Sequence, residues 1–543
     1  MSIPSQSLTS SSATLQFKDG DACTRWIAAL PVTNVQLAQQ MLSEQITLLA
    51  AVDIAALERL KILESLKESI LFAQAEMAKR YIGKPLPLDQ GDAQAWKNVI
   101  GLWRMLGTNY RHCLDAYRAG DLPISPHAAL VTLRCLRTAA FGLFEHYQVY
   151  REPDAASWRA FNELFAFAEE HGLSRVRVQD IFAKRDADSS CTDAYVQGLM
   201  ANLANPYALS VRQLAFVRRW LEKWASLVHL SSQPMPPGQI PALAVDFAKD
   251  RAPDVAAEVP ISPSTRYLDL EQLAKTLRQT INLLKQGQTP GQLGLGEDAR
   301  QPGCENLIML LYLQWCRAGT LRTEQRNAAA DPAEVCFGIT DAHQLLGGEV
   351  PAAQSSELNA RDKWELDNLG FSMRMSNTAR QAAVKKSEAW QILNQSATGF
   401  MCLLRDPSGV MRMMHNQVIC VRHGADQARL GTIQWIKVDS RNETLCGVRL
   451  FPGTPQPVRV RPANFNLPKG QEYELAFITP AVAMPVSPLS MLVPAGWFQS
   501  GRLLEIQAPQ SPQGHDKDKR VAKLLTLIER GADYDRCAIS IDL

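Results

Sequence analysis

Disulfide and zinc patterns are missing from this 543-residue sequence, although it contains 11 cysteines between residues 23 and 537. No Cys-x-x-Cys pair occurs, the number is odd and the spacing is wide. Such a distribution is typical of reduced thiols in a cytoplasmic protein. The sequence therefore predicts neither a disulfide framework nor a zinc site, and we expect a cytoplasmic location.

Long hydrophobic runs are also missing. No apolar stretch approaches the ~20 residues that span a bilayer, and prolines interrupt the nearest candidate, VAMPVSPLSMLVPAGWF. Residues 1–20 are rich in Ser and Thr and have no apolar centre, so we expect a disordered tail rather than a signal peptide. Neither a membrane span nor a secretion signal is predicted.

Catalytic signatures are absent as well. The sequence has no Gly-x-Ser-x-Gly or His-Glu-x-x-His motif and no credible acid–base group. The glycine-rich segment TPGQLGLGEDAR lacks the preceding strand and the Gly-Lys-Ser/Thr ending of a phosphate loop, so a turn between helices is expected. His415 and His423 have no Cys, Asp or Glu at metal-ligand spacing. We therefore expect no catalytic residue, no metal and no cofactor.

The net charge of only +2 gives no overall field for DNA or an anionic membrane. The charge is unevenly distributed, however. Residues 361–462 contain 15 Lys and Arg and 8 Asp and Glu, a local net charge of +7. This segment is suited to a small anionic ligand, and we expect no nucleic acid polymer as a partner.

Apolar periodicity predicts a helical domain over residues 21–230. Leucine and other apolar side chains recur there at three- and four-residue steps, which is the period of an amphipathic helix. One such stripe consists of Leu63, Leu66, Ile70, Ala73 and Met77. The proline-rich residues 231–264 are typical of an interdomain linker. Residues 265–350 are predicted to form a smaller helical block, with helices over Leu268–Leu284 and Glu305–Ala318.

Beyond residue 360 the pattern changes to short β-type runs bounded by Gly, Pro and Asn. These runs are QVICVR, LGTIQWIKV, TLCGVRLF, PVRVRP and YELAFI. We expect one barrel over residues 361–480 and a further β-rich segment over residues 481–543, which either forms a second barrel or completes the first. Within this segment, VAKLLTLIER is compatible with either a strand or a helix. The predicted fold class is multidomain α + β, with helices first and an antiparallel β-barrel later.

The motif most relevant to function is Asn394-x-Ser396-x-x-Gly399, within SEAWQILNQSATGF. Asn and Ser side chains can hydrogen-bond guanine edges or phosphate oxygens, and glycine permits a positive φ or a close ligand approach. Turns with Asn and Ser also reverse chains without binding anything, so the context of the motif decides its interpretation.

With GTIQW (residues 431–435) and GVRLF (residues 447–451), this motif resembles the PilZ domain. The resemblance implies a six-stranded β-barrel that binds the bacterial second messenger cyclic di-GMP. In that family Asn394 and Ser396 would hydrogen-bond the ligand, and Gly399 would shape the turn.

One part of the resemblance is incomplete. PilZ receptors carry an upstream Arg-x-x-x-Arg motif whose guanidinium groups hold phosphates and stack on guanine, a role that suits the planar donor group of arginine. The corresponding place here is Gly370-Phe371-Ser372-Met373-Arg374, so one arginine is absent. The resemblance assigns phosphate and guanine contacts to Arg374, with Arg380 as a further source of charge. A lost charge-assisted contact costs roughly 1.5–3 kcal/mol.

Two hypotheses therefore follow from the sequence. In the first, the protein is a cyclic di-GMP-binding signalling receptor, in which the ligand shifts the barrel relative to the helical block. In the second, the barrel is a scaffold that docks a protein partner and binds no nucleotide, and the missing arginine favours it. A protein partner that binds through the helical region is compatible with the first hypothesis.

Overall fold

The computed structural model describes residues 14–180, 188–235, 240, 242–317, 327–348, 388–405, 412–424, 427–463, 473–483, 486–507 and 520–542. The chain forms two compact units, one comprising residues 1–84 and 88–323 and the other residues 85–87 and 324–543. Helices dominate the described part of the first unit, and antiparallel strands dominate that of the second. The predicted fold class, multidomain α + β with helices first and a β-barrel later, is confirmed.

Polar N-caps fix where several helices of the first unit begin. The side chain of Asp89 accepts a hydrogen bond from the backbone N–H of Asp92 at 2.8 Å, and Ser190 and Asp193 cap each other reciprocally. The helices are α1 (Gly20–Ala28), α2 (Val35–Ala51), α3 (Ala56–Ala78), α4 (Gln90–Arg118), α5 (Ala128–Tyr147), α6 (Ala155–Glu170), α7 (Cys191–Leu203), α8 (Val211–Trp224), α9 (Glu271–Lys285) and α10 (Gly303–Cys316). Among the described residues, no helix combines the length and the apolar character needed to cross a membrane.

The apolar stripe that the sequence places on α3 is buried in the core of this unit. Leu63, Leu66 and Ile70 are fully inaccessible, and Met77 is 3% exposed. Burying each such side chain contributes about 1.5–3 kcal/mol, so packing rather than helix propensity holds α3 in place. The helices α9 and α10 share this core. They are therefore part of the first unit and not the separate helical block predicted for residues 265–350.

A buried cluster of opposite charges ties α5 to the segment after α6. Asp180 accepts hydrogen bonds from Arg134 at 2.9 Å and from Arg137 at 2.7 Å. Arg134 also donates to both carboxylate oxygens of Glu64, at 2.8 and 3.0 Å. Lys67 also lies 3.5 Å from Glu64, so three cations share the two carboxylates. Removing one partner of such a set typically costs about 3–5 kcal/mol.

The described part of the proline-rich residues 231–264 belongs to the helical unit and is not a linker. Short strands from this segment and its flanks form a four-stranded sheet in the order β3-β6-β4-β5. The side chains of Leu243 and Val245 are 1% exposed and join the helical core, because apolar residues between the prolines gain more from burial than from solvent. The short strands of this unit are β1 (Val178–Gln179), β2 (Asp188–Ser189), β3 (His229–Ser231), β4 (Leu243–Asp246), β5 (Asp254–Val255) and β6 (Thr265–Asp269).

The second unit contains a closed six-stranded barrel with the order β10-β11-β12-β9-β8-β7. Its strands are β7 (Asn327–Phe337), β8 (Glu388–Ser396), β9 (Gly399–Leu404), β10 (Val418–His423), β11 (Arg429–Val438) and β12 (Thr444–Leu450). We call it the first barrel. The boundaries differ from the predicted 361–480, because β7 comes from the segment that was assigned to the helical block and closes the barrel by pairing with β8 and β10.

A second closed barrel follows, with the order β13-β14-β15-β18-β17-β16. Its strands are β13 (Gln456–Pro462), β14 (Glu474–Thr479), β15 (Ser490–Pro494), β16 (Leu503–Gln507), β17 (Arg520–Arg530) and β18 (Tyr534–Asp542). PVRVRP and YELAFI thus belong to this second barrel and not to the first, and VAKLLTLIER forms a strand. Counted in chain order, each strand has the same neighbours as its counterpart in the first barrel.

The two barrels meet through a shared apolar core. Phe451 of the first barrel lies 5.6 Å from Tyr534 of the second, ring centre to ring centre. Helix α11 (Gly338–Leu345) adds the buried Ala342 to the same cluster. The other fully buried members are Cys336, Val418, Cys420, Phe477 and Leu492. The barrels therefore form one unit.

Candidate functional site

The Asn394-x-Ser396-x-x-Gly399 motif forms the tight hairpin between β8 and β9. Ser396 pairs with Gly399 across the turn, which leaves only Ala397 and Thr398 as loop residues. The carbonyl oxygen of Thr398 accepts a hydrogen bond from the N–H of Leu450 at 2.8 Å. The motif is therefore fixed at the end of the first barrel by backbone hydrogen bonds to β8, β9 and β12.

Strand alternation places the polar side chains of the motif on the outer face of the barrel. On β9, Phe400 and Cys402 are buried. Side chains alternate along a strand, so Gly399, which precedes Phe400, and Met401, which follows it, face outward. Residues paired directly across two strands share a face. Asn394 pairs with Met401, and Ser396 pairs with Gly399, so Asn394 and Ser396 also face outward. A bulge before Asn394 restores this alternation on β8.

Asn394 is held in place on this face by its neighbour on β9. Its side-chain amide nitrogen lies 3.2 Å from the sulfur of Met401, within reach of a weak hydrogen bond. Asn394 and Ser396 are both half-buried. Each side chain can donate and accept hydrogen bonds, as a ligand with mixed donors and acceptors requires.

Glycine is required at position 399 because β12 approaches closely. A Cβ atom there would collide with the carbonyl oxygen of Val448 and would lie 3.7 Å from the Cα of Arg449. The absence of a side chain also leaves the outer surface open between Ser396 and β12. Gly399 therefore permits both the strand pairing and access to the polar face.

Arg429 lies at the same turn and was missed by the sequence analysis. Its guanidinium donates to the carbonyl oxygen of Ala397 at 3.2 Å and lies 5.3 Å from the ring centre of Phe400. The residue is exposed at the start of β11. Arg429 directly precedes LGTIQW. Its position as a charged residue at the end of a predicted strand was the sequence signal that could have identified it.

The two other segments that resemble PilZ form adjacent strands beside the motif. Gly431 pairs with Leu450, and Trp435 pairs with Gly447. A Cβ atom at Gly447 would collide with the indole ring of Trp435, so this glycine lets the ring lie flat on the outer wall. The glycines of GTIQW and GVRLF thus allow close packing within the barrel.

The upstream arginines, Arg374 and Arg380, lie outside the described residues, so their position relative to the hairpin stays a prediction. Asn394, Ser396 and Gly399 are brought together on one hairpin, and their contact with a ligand also stays a prediction. Among the described residues, no cluster of His, Cys, Asp and Glu is arranged to hold a metal ion.

The remaining sequence candidates have structural partners. The Nε2–H of His415 donates a hydrogen bond to the carbonyl oxygen of Gln434 at 2.9 Å. His423 lies 3.2 Å from a carboxylate oxygen of Asp331. The carbonyl oxygen of Leu295, within TPGQLGLGEDAR, accepts from the indole of Trp220 at 2.8 Å, and this segment joins α9 to α10 as a turn.

All eleven cysteines are buried and unpaired. Burial raises the pKa of Cys113 to about 12. A hydrogen bond with Cys402, together with burial, raises the pKa of Cys446 well above its ordinary value. The thiols of Cys113 and Cys446 are therefore protonated and unreactive at neutral pH.

The fold and the hairpin together define a class of protein: a helical unit followed by two closed β-barrels, the first of which presents a polar hairpin with an adjacent arginine. Residues 21–236 match the family described as "Cyclic-di-GMP receptor FimW, N-terminal domain". The cyclic-di-GMP receptor FimW of Pseudomonas aeruginosa is 20% identical to this chain over 524 residues, which cover 89% of this chain and 85% of the relative. A match of that length cannot be confined to the helical unit and takes in the first barrel.

Proposed function

We propose that this chain is a cyclic di-GMP-binding signalling receptor and that its first barrel is a PilZ-like module. The observation that carries the proposal is the hairpin at the end of a closed six-stranded barrel, where Asn394 and Ser396 share the outer face beside the open side of Gly399. The similarity to a protein named as a cyclic-di-GMP receptor supports the same ligand.

Cyclic di-GMP presents two phosphates and two guanines, and the proposed residues match both groups. The hydroxyl of Ser396 and the amide of Asn394 suit guanine edges or phosphate oxygens. Arg429 brings a guanidinium to the turn itself, where a planar donor can hold phosphate and stack on a base. Arg374 and Arg380 are the proposed additional cations.

We propose a binding protein rather than an enzyme, located in the cytoplasm. Eleven buried, unpaired thiols favour a reducing compartment. The ligand would act by shifting a conformational equilibrium, which requires different affinities in the two states.

Calorimetric titration of the full chain with cyclic di-GMP tests the proposal. We expect the wild type to bind and Arg429→Ala to bind about tenfold to a hundredfold more weakly, because one charge-assisted contact is worth roughly 1.5–3 kcal/mol. Arg374→Ala and Arg380→Ala are expected to weaken binding in the same direction.

Arg441→Ala is the matched control. Arg441 is another exposed arginine of the first barrel, with its side chain 77% exposed beside Asp439. It lies at the opposite end of β12 from the hairpin, at least five residues or about 17 Å away at ~3.3 Å per residue. Absence of binding by the wild type at high micromolar ligand, or equal losses for Arg429→Ala and Arg441→Ala, contradicts the proposal.

A further inference from the structure

Arg449 occupies the outer face of the first barrel directly beside the hairpin. It pairs with Gly399 across β9 and β12, and Gly399 pairs in turn with Ser396. Paired residues in a sheet share a face, so Ser396, Gly399 and Arg449 form one line across three strands. Two strand spacings separate Ser396 from Arg449, about 10 Å, and the missing side chain at Gly399 leaves the surface between them open.

The present partner of Arg449 belongs to the second barrel. Its Nη2 atom lies 2.6 Å from each carboxylate oxygen of Glu529 on β17. The hydroxyl of Tyr534 donates to the same carboxylate at 2.8 Å. The Arg449 and Glu529 side chains remain 38% and 22% exposed, so water and ions can reach the ion pair. The pair therefore links the line that contains Ser396 to the second barrel.

A second guanidinium makes this junction richer in positive than in negative charge. Arg536 pairs with Glu529 across β17 and β18, and it is 4% exposed. Its guanidinium lies 5.5 Å from the ring centre of Phe451, and that of Arg449 lies 5.9 Å from the same ring. Arg536 donates hydrogen bonds to the hydroxyls of Ser487 and Ser490. Glu529 thus lies between the guanidinium groups of Arg449 and Arg536. If an anion bound to Arg449, Glu529 would still have Arg536 as a neighbour.

We propose that Arg449 is shared between the ligand of the hairpin and Glu529, so that phosphate bound beside Ser396 competes with the second barrel for one guanidinium. The inference rests on the proposed cyclic di-GMP site and adds a binding residue and a means of regulation to it. Ligand binding weakens the Arg449–Glu529 pair, and by linkage the pair weakens ligand binding by the same factor. The second barrel then reports whether the first is occupied.

Titration with cyclic di-GMP in Glu529→Gln, Arg449→Gln and the double variant tests this sharing. We expect Glu529→Gln to bind about fivefold more tightly, because an exposed ion pair of this kind is worth little more than that factor, and Arg449→Gln to bind at least about tenfold more weakly. In the Arg449→Gln background, Glu529→Gln should have no further effect, which separates competition for Arg449 from a general loss of negative charge. Arg449→Lys, which keeps the charge, should lose less affinity than Arg449→Gln.

Glu505→Gln is the matched control. Like Glu529, Glu505 accepts hydrogen bonds from an arginine and a tyrosine, but both of these donors belong to the second barrel. It accepts from Arg461 at 2.8 and 3.0 Å and from the hydroxyl of Tyr473 at 2.6 Å. Its substitution should leave the affinity for cyclic di-GMP unchanged.

The outcomes distinguish this inference from the proposed function. If the wild type binds cyclic di-GMP and both Glu529→Gln and Glu505→Gln bind it with the same affinity as the wild type, the sharing of Arg449 is overturned and the receptor function stands. If Glu529→Gln tightens binding equally with and without Arg449, competition is likewise overturned. If the wild type does not bind, the proposed function fails and the inference fails with it. Hydrogen exchange provides a second reading: the ligand should accelerate exchange around Glu529 in the wild type but not in Arg449→Gln.

Discussion

The two barrels have the same strand neighbours, yet their equivalent hairpins differ in every feature that concerns a ligand. In the first barrel, two residues connect Ser396 to Gly399. In the second, the corresponding pair is Thr479 and Ser490, and ten residues separate them along the chain. The residue beside the hairpin on the last strand is Arg449 in the first barrel and Ala538 in the second.

The polar groups of the second hairpin are already satisfied internally. The hydroxyls of Thr479 and Ser490 lie 2.6 Å apart, and Arg536 donates to Ser490 at 3.2 Å and to Ser487 at 2.6 Å. These groups are buried, so little is left to offer a ligand. In our proposal one fold therefore has two uses: the first hairpin binds a ligand, and the second hairpin packs internally.

The largest effect is expected from giving the first barrel the residue of the second. Gly399→Ser introduces a Cβ atom that collides with the carbonyl oxygen of Val448. Because backbone must move to relieve the clash, we expect a loss of about 2–3 kcal/mol in the free energy of unfolding and loss of cyclic di-GMP binding. Urea denaturation and calorimetric titration measure the two effects.

The reverse exchange, Ser490→Gly, is its control. It removes one hydroxyl from Thr479 and Arg536 and should cost about 1–2 kcal/mol without changing the affinity for the ligand. Gly399→Ser with unaltered binding would show that the open surface beside Ser396 is not used.

A smaller effect is expected where the second barrel contacts the first through Asp533. One carboxylate oxygen accepts from the N–H of Val418 at 2.9 Å. The other is buried and has no hydrogen-bond partner among the residues that the structure describes. Burial raises the pKa of Asp533 from 3.8 to about 6. A carboxyl with a raised pKa in the folded state contributes stability that is present below pH 3.8 and is lost as the pH rises through about 6.

The wild type should therefore lose about 2 kcal/mol more than Asp533→Asn between pH 4.5 and pH 7, at 1.36 kcal/mol per pKa unit. Urea denaturation of both proteins at the two pH values measures the difference. Parallel pH dependence of the two proteins would show that Asp533 titrates normally.

Local patterns in the sequence predicted most helices and strands, but not how the strands close into barrels. The stripe on α3 and the strands of LGTIQWIKV and TLCGVRLF were recognisable because period and composition agree with their burial. The strand β7, NAAADPAEVCF, was not recognisable, because alanines, a proline and acidic residues disfavour a strand. It is stabilised by distant pairing, such as Phe337 with Ile419, which no local pattern encodes.

The same distinction between local patterns and distant pairing applies to the residues of the candidate site. Asn394, Ser396 and Gly399 were found because a turn motif is local in sequence. Arg429 and Arg449 were not found, since only strand pairing brings them to the hairpin. The sequence left open whether residues 481–543 form a second barrel or complete the first. The strands β13 and β14 were assigned to the first barrel because they follow it without a break in composition, and they belong to the second.

The most direct test of the central claim is a calorimetric comparison of the two hairpins in the full chain. Cyclic di-GMP is titrated into wild type, Ser396→Ala and Ser490→Ala, with circular dichroism confirming that each is folded. We predict that Ser396→Ala loses at least about tenfold in affinity while Ser490→Ala retains wild-type affinity. Unchanged binding by Ser396→Ala, or a loss confined to Ser490→Ala, would contradict a ligand site on the first barrel.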